Sequence, residues 1–65
     1  MKEKIGTNAG AIWTYLNESG EKGLKEVKKV CKLTEKDMYA ALGWLAREGK
    51  IELEEVKDDI KVRLL

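Results

Sequence analysis

The stretch Met38 to Ile51, MYAALGWLAREGKI, constrains the fold of this chain more than any other segment. Counting back from Gly49, apolar or small side chains stand four, seven, eight and eleven positions earlier, at Leu45, Leu42, Ala41 and Met38. Residues at those intervals share one side of an α-helix, so the segment reads as a helix with one buried stripe. Glycine closes a helix in the left-handed conformation at little cost, which places the helix end at Gly49. Ile51 then opens an extended segment. A helix that must bury this stripe needs other elements to cover it, and the rest of the chain is short.

After Gly49 the pattern changes from a helical period to a period of two. Ile51 and Leu53 alternate with Glu52 and Glu54, and Ile60, Val62 and Leu64 alternate with Lys61 and Arg63, as in two strands with one buried face. Setting Ile51 opposite Leu64 and Leu53 opposite Val62 also sets Glu52 opposite Arg63 and Glu54 opposite Lys61, so apolar and charged pairs are satisfied in one register. That register leaves Val56-Lys57-Asp58-Asp59 as a four-residue loop.

Two more helices precede the first. Thr34-Glu35-Lys36-Asp37 is a variant of the capping box, in which the Thr34 hydroxyl accepts from the Asp37 amide and the Asp37 carboxylate reaches back. Apolar residues at Leu24, Val27, Val30, Cys31 and Leu33 suit a short helix entered through a brief extended stretch. A first helix is expected from about Thr7 to Ser19, capped by Thr7, ended by Gly20, and buried along Ile5, Ala9, Ile12, Trp13 and Leu16. The expected architecture over residues 1–65 is therefore one α+β domain, three helices followed by a two-stranded C-terminal hairpin.

A chain of 65 residues hides only about 60% of its unfolded surface on folding, so a partner surface would stabilise it. A single cysteine excludes an internal disulfide, and with no histidine Cys31 has no natural companion in a zinc site. Cys31 is expected as a small buried apolar residue in a reducing compartment. The segment MKEKIGTNAG lacks the apolar run of a signal peptide, and no stretch has the length of a bilayer span, so the expectation is a soluble, cytoplasmic protein. No histidine, one serine at a helix end and no phosphate-cradling glycine loop leave no acid, base and nucleophile constellation. Neither catalytic residues nor a cofactor nor a metal is expected.

The spacing of Met38, Ala41, Leu42, Leu45, Gly49 and Ile51 resembles that of the winged helix-turn-helix superfamily, in which the third helix is buried against two others and runs into a wing strand. The resemblance covers the whole chain. Gly6, Ala9-Gly10, Ile12-Trp13, Leu16 and Leu42-Gly43-Trp44-Leu45-Ala46-Arg47-Glu48-Gly49 further resemble a family of very small bacterial and archaeal winged-helix proteins of unknown function. The resemblance implies a third helix presented to the DNA major groove and a wing touching the adjacent backbone. The groove-facing positions would then be Glu35, Lys36, Tyr39, Ala40 and Gly43, with Trp44 beside them.

The charges support that role unevenly. Thirteen basic residues against twelve acidic ones leave a formal charge of +1, so no global field draws in a polyanion. Residues 51–65 carry five acids against three bases, a formal minus two that repels phosphate. Residues 25–32 carry Lys25, Lys28, Lys29 and Lys32 against Glu26, a formal plus three, and make the basic patch of the chain. On the DNA reading Lys28, Lys29, Lys32 and Lys57 contact phosphates while Lys36 and Tyr39 sit at the groove.

The glycines and tryptophans suggest a second kind of surface. Helix-interior glycine is unfavourable, and close approach of another backbone is one reason to keep it. Trp44, Gly43, Ala40 and Tyr39 on the third helix are the expected homodimer surface, with Trp13 divided between interface and core beside Ile12 and Leu16. If Trp44 and Tyr39 form a dimer seam, the reading helices face each other and groove insertion is blocked. The alternative function is a protein interaction module that keeps the fold without binding DNA.

Overall fold

A computed structural model describes residues 2–65 as three helices followed by a hairpin, with one additional short strand. The order is α1 (Lys2–Ser19), β1 (Lys22–Gly23), α2 (Leu24–Cys31), α3 (Glu35–Arg47), β2 (Ile51–Val56) and β3 (Asp59–Leu64). The brief extended entry to α2 is itself a strand. It pairs antiparallel with β3 through Lys22 opposite Val62 and Gly23 opposite Lys61, giving a three-stranded sheet in the order β1-β3-β2.

One core joins all the longer elements. Ala9, Ile12 and Leu16 come from α1, Leu24 and Val27 from α2, Met38, Ala41, Leu42 and Leu45 from α3, and Ile51 and Val62 from the hairpin. Ile12, Val27 and Val62 are fully enclosed. The stripe of α3 anticipated from its spacing is the stripe that is buried. Among the described residues, no helix is long and apolar enough to cross a membrane.

The third helix begins and ends as its local chemistry dictates. The Asp37 amide donates to Thr34 Oγ1 at 3.1 Å, satisfying one of the helix's orphan donors. The reciprocal half of the expected capping box is replaced: the Asp37 carboxylate turns to Lys4 on α1, 3.1 Å away. At the other end Gly49 takes φ +69, and the amides of Gly49 and Lys50 donate to the carbonyls of Ala46 and Leu45, each at 3.0 Å. This pair of bonds is a Schellman closure. The second helix ends on Lys32 in the same left-handed region, at φ 55, where a side chain is strained.

Several expectations from sequence are corrected. The first helix starts at Lys2, so Thr7 is an exposed interior residue and not a cap. The apolar stripe explains the difference, because Ile5 lies one helical turn before Ala9, and the Lys4 to Asp37 pair ties this first part of α1 to α3. Trp13 lies outside the core at 39% exposure, and Val30 on α2 is 46% exposed, because the apolar stripes of these helices are narrower than their apolar composition. Cys31 and Leu33 are half-buried at the core's edge.

The hairpin follows the expected register over its whole length, Ile51 opposite Leu64 through Glu54 opposite Lys61. The ladder runs one pair further than expected, to Val56 opposite Asp59, so the turn is Lys57-Asp58 and not a four-residue loop. Asp58 at φ 67 makes the shorter connection feasible, since aspartate tolerates the left-handed region. The charged face re-pairs around one cation. Arg63 contacts Glu52 and reaches Glu21 at 3.3 Å and Glu54 at 3.6 Å, while Lys61 reaches Glu21 at 3.7 Å.

Candidate functional site

The turn from α2 into α3 and the outward side of α3 form the surface that the architecture presents most openly. Lys36, Ala40, Gly43 and Arg47 recur at intervals of four, three and four along α3, opposite the buried stripe of Met38, Ala41, Leu42 and Leu45. All four are exposed. A cation stands toward each end of this stripe with only small residues between, and no carboxylate lies on it. Arg47 was not singled out as a cationic contact from sequence, since its place on this stripe depends on which side of α3 is buried.

The lysines of α2 extend that surface. Lys25, Lys29 and Lys32 are exposed, and none has a salt bridge among the described residues. Lys28 differs: it is half-buried, and its ammonium lies 3.5 Å from Glu35 Oε1 at the start of α3. Its charge is therefore partly neutralised within the chain. Lys57 occupies the hairpin turn beside Asp58. The other two cations of the hairpin, Lys61 and Arg63, are engaged with Glu21, Glu52 and Glu54. Hydrogen bonding to Glu21 and the negative charge of Glu52 push the Arg63 guanidinium further toward its protonated form.

Acids border this surface on both sides of α3. Asp37 is held by Lys4 on the α1 side. On the opposite side, α2, the start of α3 and the hairpin tip enclose a cleft of about 410 Å³. Its apolar lining includes Leu24, Met38 and Ile60, and Tyr39 stands on it at 53% exposure. Glu35, Glu55, Asp58 and Asp59 outnumber Lys25 and Lys28 around it.

The five residues expected to form one dimer surface are spread over four places. Trp13 and Trp44 line a groove between α1 and α3, Ala40 lines a second hollow with Lys4, Ile5 and Asp37, and Tyr39 belongs to the acidic cleft. Gly43 lies on the outward stripe. The two tryptophans thus share a groove that Tyr39 does not line. Sequence spacing had placed Trp44 and Tyr39 on one seam; the direction in which α1 crosses α3 separates them.

Cys31 lies apart from these surfaces, half-buried between α1 and α2 near Tyr15 and Val30. Burial pushes its thiol pKa up, which keeps it a neutral thiol and a poor nucleophile.

Comparison with known proteins matches this geometry. The chain is 43% identical over 67 residues to an uncharacterised protein of the archaeon Methanocaldococcus jannaschii, an alignment that covers 94% of this chain and 87% of the relative. A solution NMR structure of a protein from Bacteroides thetaiotaomicron superposes with a TM-score of 0.84 at 33% identity, covering 97% of this chain and 77% of that one. Residues 1–64 match the family described as winged helix-turn-helix domain (DUF2582), and the chain belongs to that family.

Proposed function

We propose that this winged helix-turn-helix domain engages double-stranded DNA through the edge running from α2 into α3, holding the phosphate backbone more than reading bases. One observation carries the reading: Lys25, Lys29, Lys32, Lys36 and Arg47 are all exposed along α2, the turn and the outward stripe of α3, and that stripe bears no acid. Lysines supply phosphate neutralisation without sequence information, and the small residues Ala40 and Gly43 let the helix backbone approach a duplex closely. Tyr39 and Lys36 are the side chains nearest to base edges in this arrangement. Lys28, paired with Glu35, contributes less than its neighbours, and Lys57 is the hairpin's contact.

The test is an amide chemical-shift titration of the labelled chain with mixed-sequence duplex at low salt. Shifts concentrated in residues 25–47 and at Lys57, weakening with a log-log salt slope of about −4 to −5 for the five phosphate contacts of Lys25, Lys29, Lys32, Arg47 and Lys57, are the expected result. Absence of shifts at about 1 mM duplex defeats the reading, because non-specific binders typically reach about 10⁻⁴ to 10⁻⁶ M. A second reading, an interaction module that does not bind DNA, is favoured by the acids at Glu35, Glu55, Asp58 and Asp59 beside α3, which repel phosphate. A silent titration selects it.

A further inference from the structure

Three glycines interrupt the long helices, at Gly6 and Gly10 in α1 and Gly43 in α3, and a Cβ added at any of them would meet nothing within 4 Å. No close approach inside the chain requires them, and none has the positive φ that excludes other residues. Alanine would make each helix more stable, so these positions keep a bare surface at the expense of stability. Gly6 and Gly10 share that surface with the tryptophans. Together with Ala9, Trp13, Trp44, Glu48 and Lys50 they line a groove of about 390 Å³ between α1 and α3.

We propose that this groove is the contact face of a two-fold homodimer, with the indoles of each copy lying against Gly6 and Gly10 of the other. The proposal is independent of whether the domain binds DNA. Two features select a second copy as the occupant. A two-fold contact uses the same patch on both partners, so the patch must supply both what protrudes and what receives it. Here Trp13 and Trp44 are each 39% exposed, leaving roughly 100 Å² of each aromatic surface in water, and the adjoining glycines offer nothing but backbone. The second feature is charge. Glu48 and Lys50 line the same groove, so a two-fold axis can set the acid of each copy beside the base of the other, and a net charge of +1 opposes association little. Tryptophan is also among the side chains that most often anchor an interface.

Sedimentation equilibrium of the full chain up to about 1 mM tests the proposal, a range that captures the weak association expected of a small interface. Wild type is expected to dimerise with concentration. Gly10→Gln places a side chain into open space, so it is expected to retain its far-ultraviolet circular dichroism while weakening the dimer about 10-fold or more. Glu48→Lys and Lys50→Glu are each expected to weaken it, and the double variant to recover affinity. A wild-type chain that stays monomeric at about 1 mM overturns the proposal, as does a folded Gly10→Gln variant that dimerises like wild type. A double charge variant no tighter than either single one overturns the two-fold arrangement.

Discussion

Replacing Gly43 by alanine is expected to stabilise the protein, because a methyl there meets open space on the outward side of α3. Gly43 lies inside α3 on the exposed stripe, has no positive φ, and has nothing within 4 Å of the space a methyl would fill. Relief of the helix-interior glycine penalty is then unopposed by a clash, and amounts to about 1 kcal/mol. For 65 residues the unfolding entropy near the midpoint is roughly 0.14 kcal/mol/K, so the midpoint should rise by roughly 7 °C. Scanning calorimetry at a fixed protein concentration measures it, the concentration being held because any self-association also shifts the midpoint. Gly49→Ala is the matched control. Its φ of +69 forces the new side chain into the left-handed region, so the same chemical change should destabilise by about 1–2 kcal/mol. If Gly43→Ala lowers the midpoint while Gly49→Ala behaves as stated, Gly43 is not an open helical position and the outward stripe is wrongly drawn.

Lys32 sits at φ 55, so Lys32→Gly should raise stability by about 1 kcal/mol in urea denaturation while reducing the magnitude of the salt slope for duplex binding by about one. Thr34→Ala removes the hydroxyl that accepts from the Asp37 amide and should cost about 1 kcal/mol, measurable as a lower urea midpoint with unchanged slope. Burial raises the pKa of Cys31, and burial followed by the charges of Glu26 and Cys31 raises that of Tyr15. Both groups therefore hold their protons more tightly in the folded chain, so their contribution is complete below the pKa values of the unfolded chain and is lost as pH rises through the folded values. The urea midpoint should accordingly hold up to about pH 8 and fall from there to beyond about pH 10, and Cys31→Val should remove the earlier part of that fall.

The parts of the fold legible in the sequence are those where a single arrangement satisfies several constraints together. The hairpin register places apolar pairs on one face and opposite charges on the other, and a one-residue slip would spoil both, so Ile51 to Leu64 pairing followed directly from alternation. The same is true of α3, where Thr34 starts the helix, Gly49 ends it, and the apolar spacing between them is uninterrupted. The start of α1 was not legible. Thr7 has the chemistry of a cap, and the feature that draws the helix back to Lys2 is tertiary: Ile5, half-buried, lies one turn before Ala9 on the same side of α1, and Lys4 meets Asp37 thirty-three positions away in sequence. The turn at Lys57-Asp58 escaped for a related reason, because whether Val56 and Asp59 pair depends on Asp58 accepting φ 67.

The functional surface was less legible because exposed residues are not constrained by packing, and their grouping depends on how helices cross. Spacing along α3 places Tyr39, Ala40, Gly43 and Trp44 near one another, which made DNA contact and dimerisation seem to compete for the same side chains. In the folded chain α1 covers one flank of α3 and draws Trp44 to Trp13, while α2 and the hairpin flank the other and draw Tyr39 into an acidic cleft. The stripe of Lys36, Ala40, Gly43 and Arg47 lies between them, away from both. The tryptophan groove and the basic surface can therefore be perturbed separately: Gly10→Gln acts in the groove, while Lys32→Gly and Gly43→Ala act on the surface that runs from α2 onto the outward stripe. If the DNA and dimer surfaces are distinct, Gly10→Gln should weaken self-association while leaving the duplex-induced shifts at Lys29, Lys32 and Lys36 in place. Loss of both together would mean that the duplex is held only by a dimer, through the avidity of two weakly binding copies.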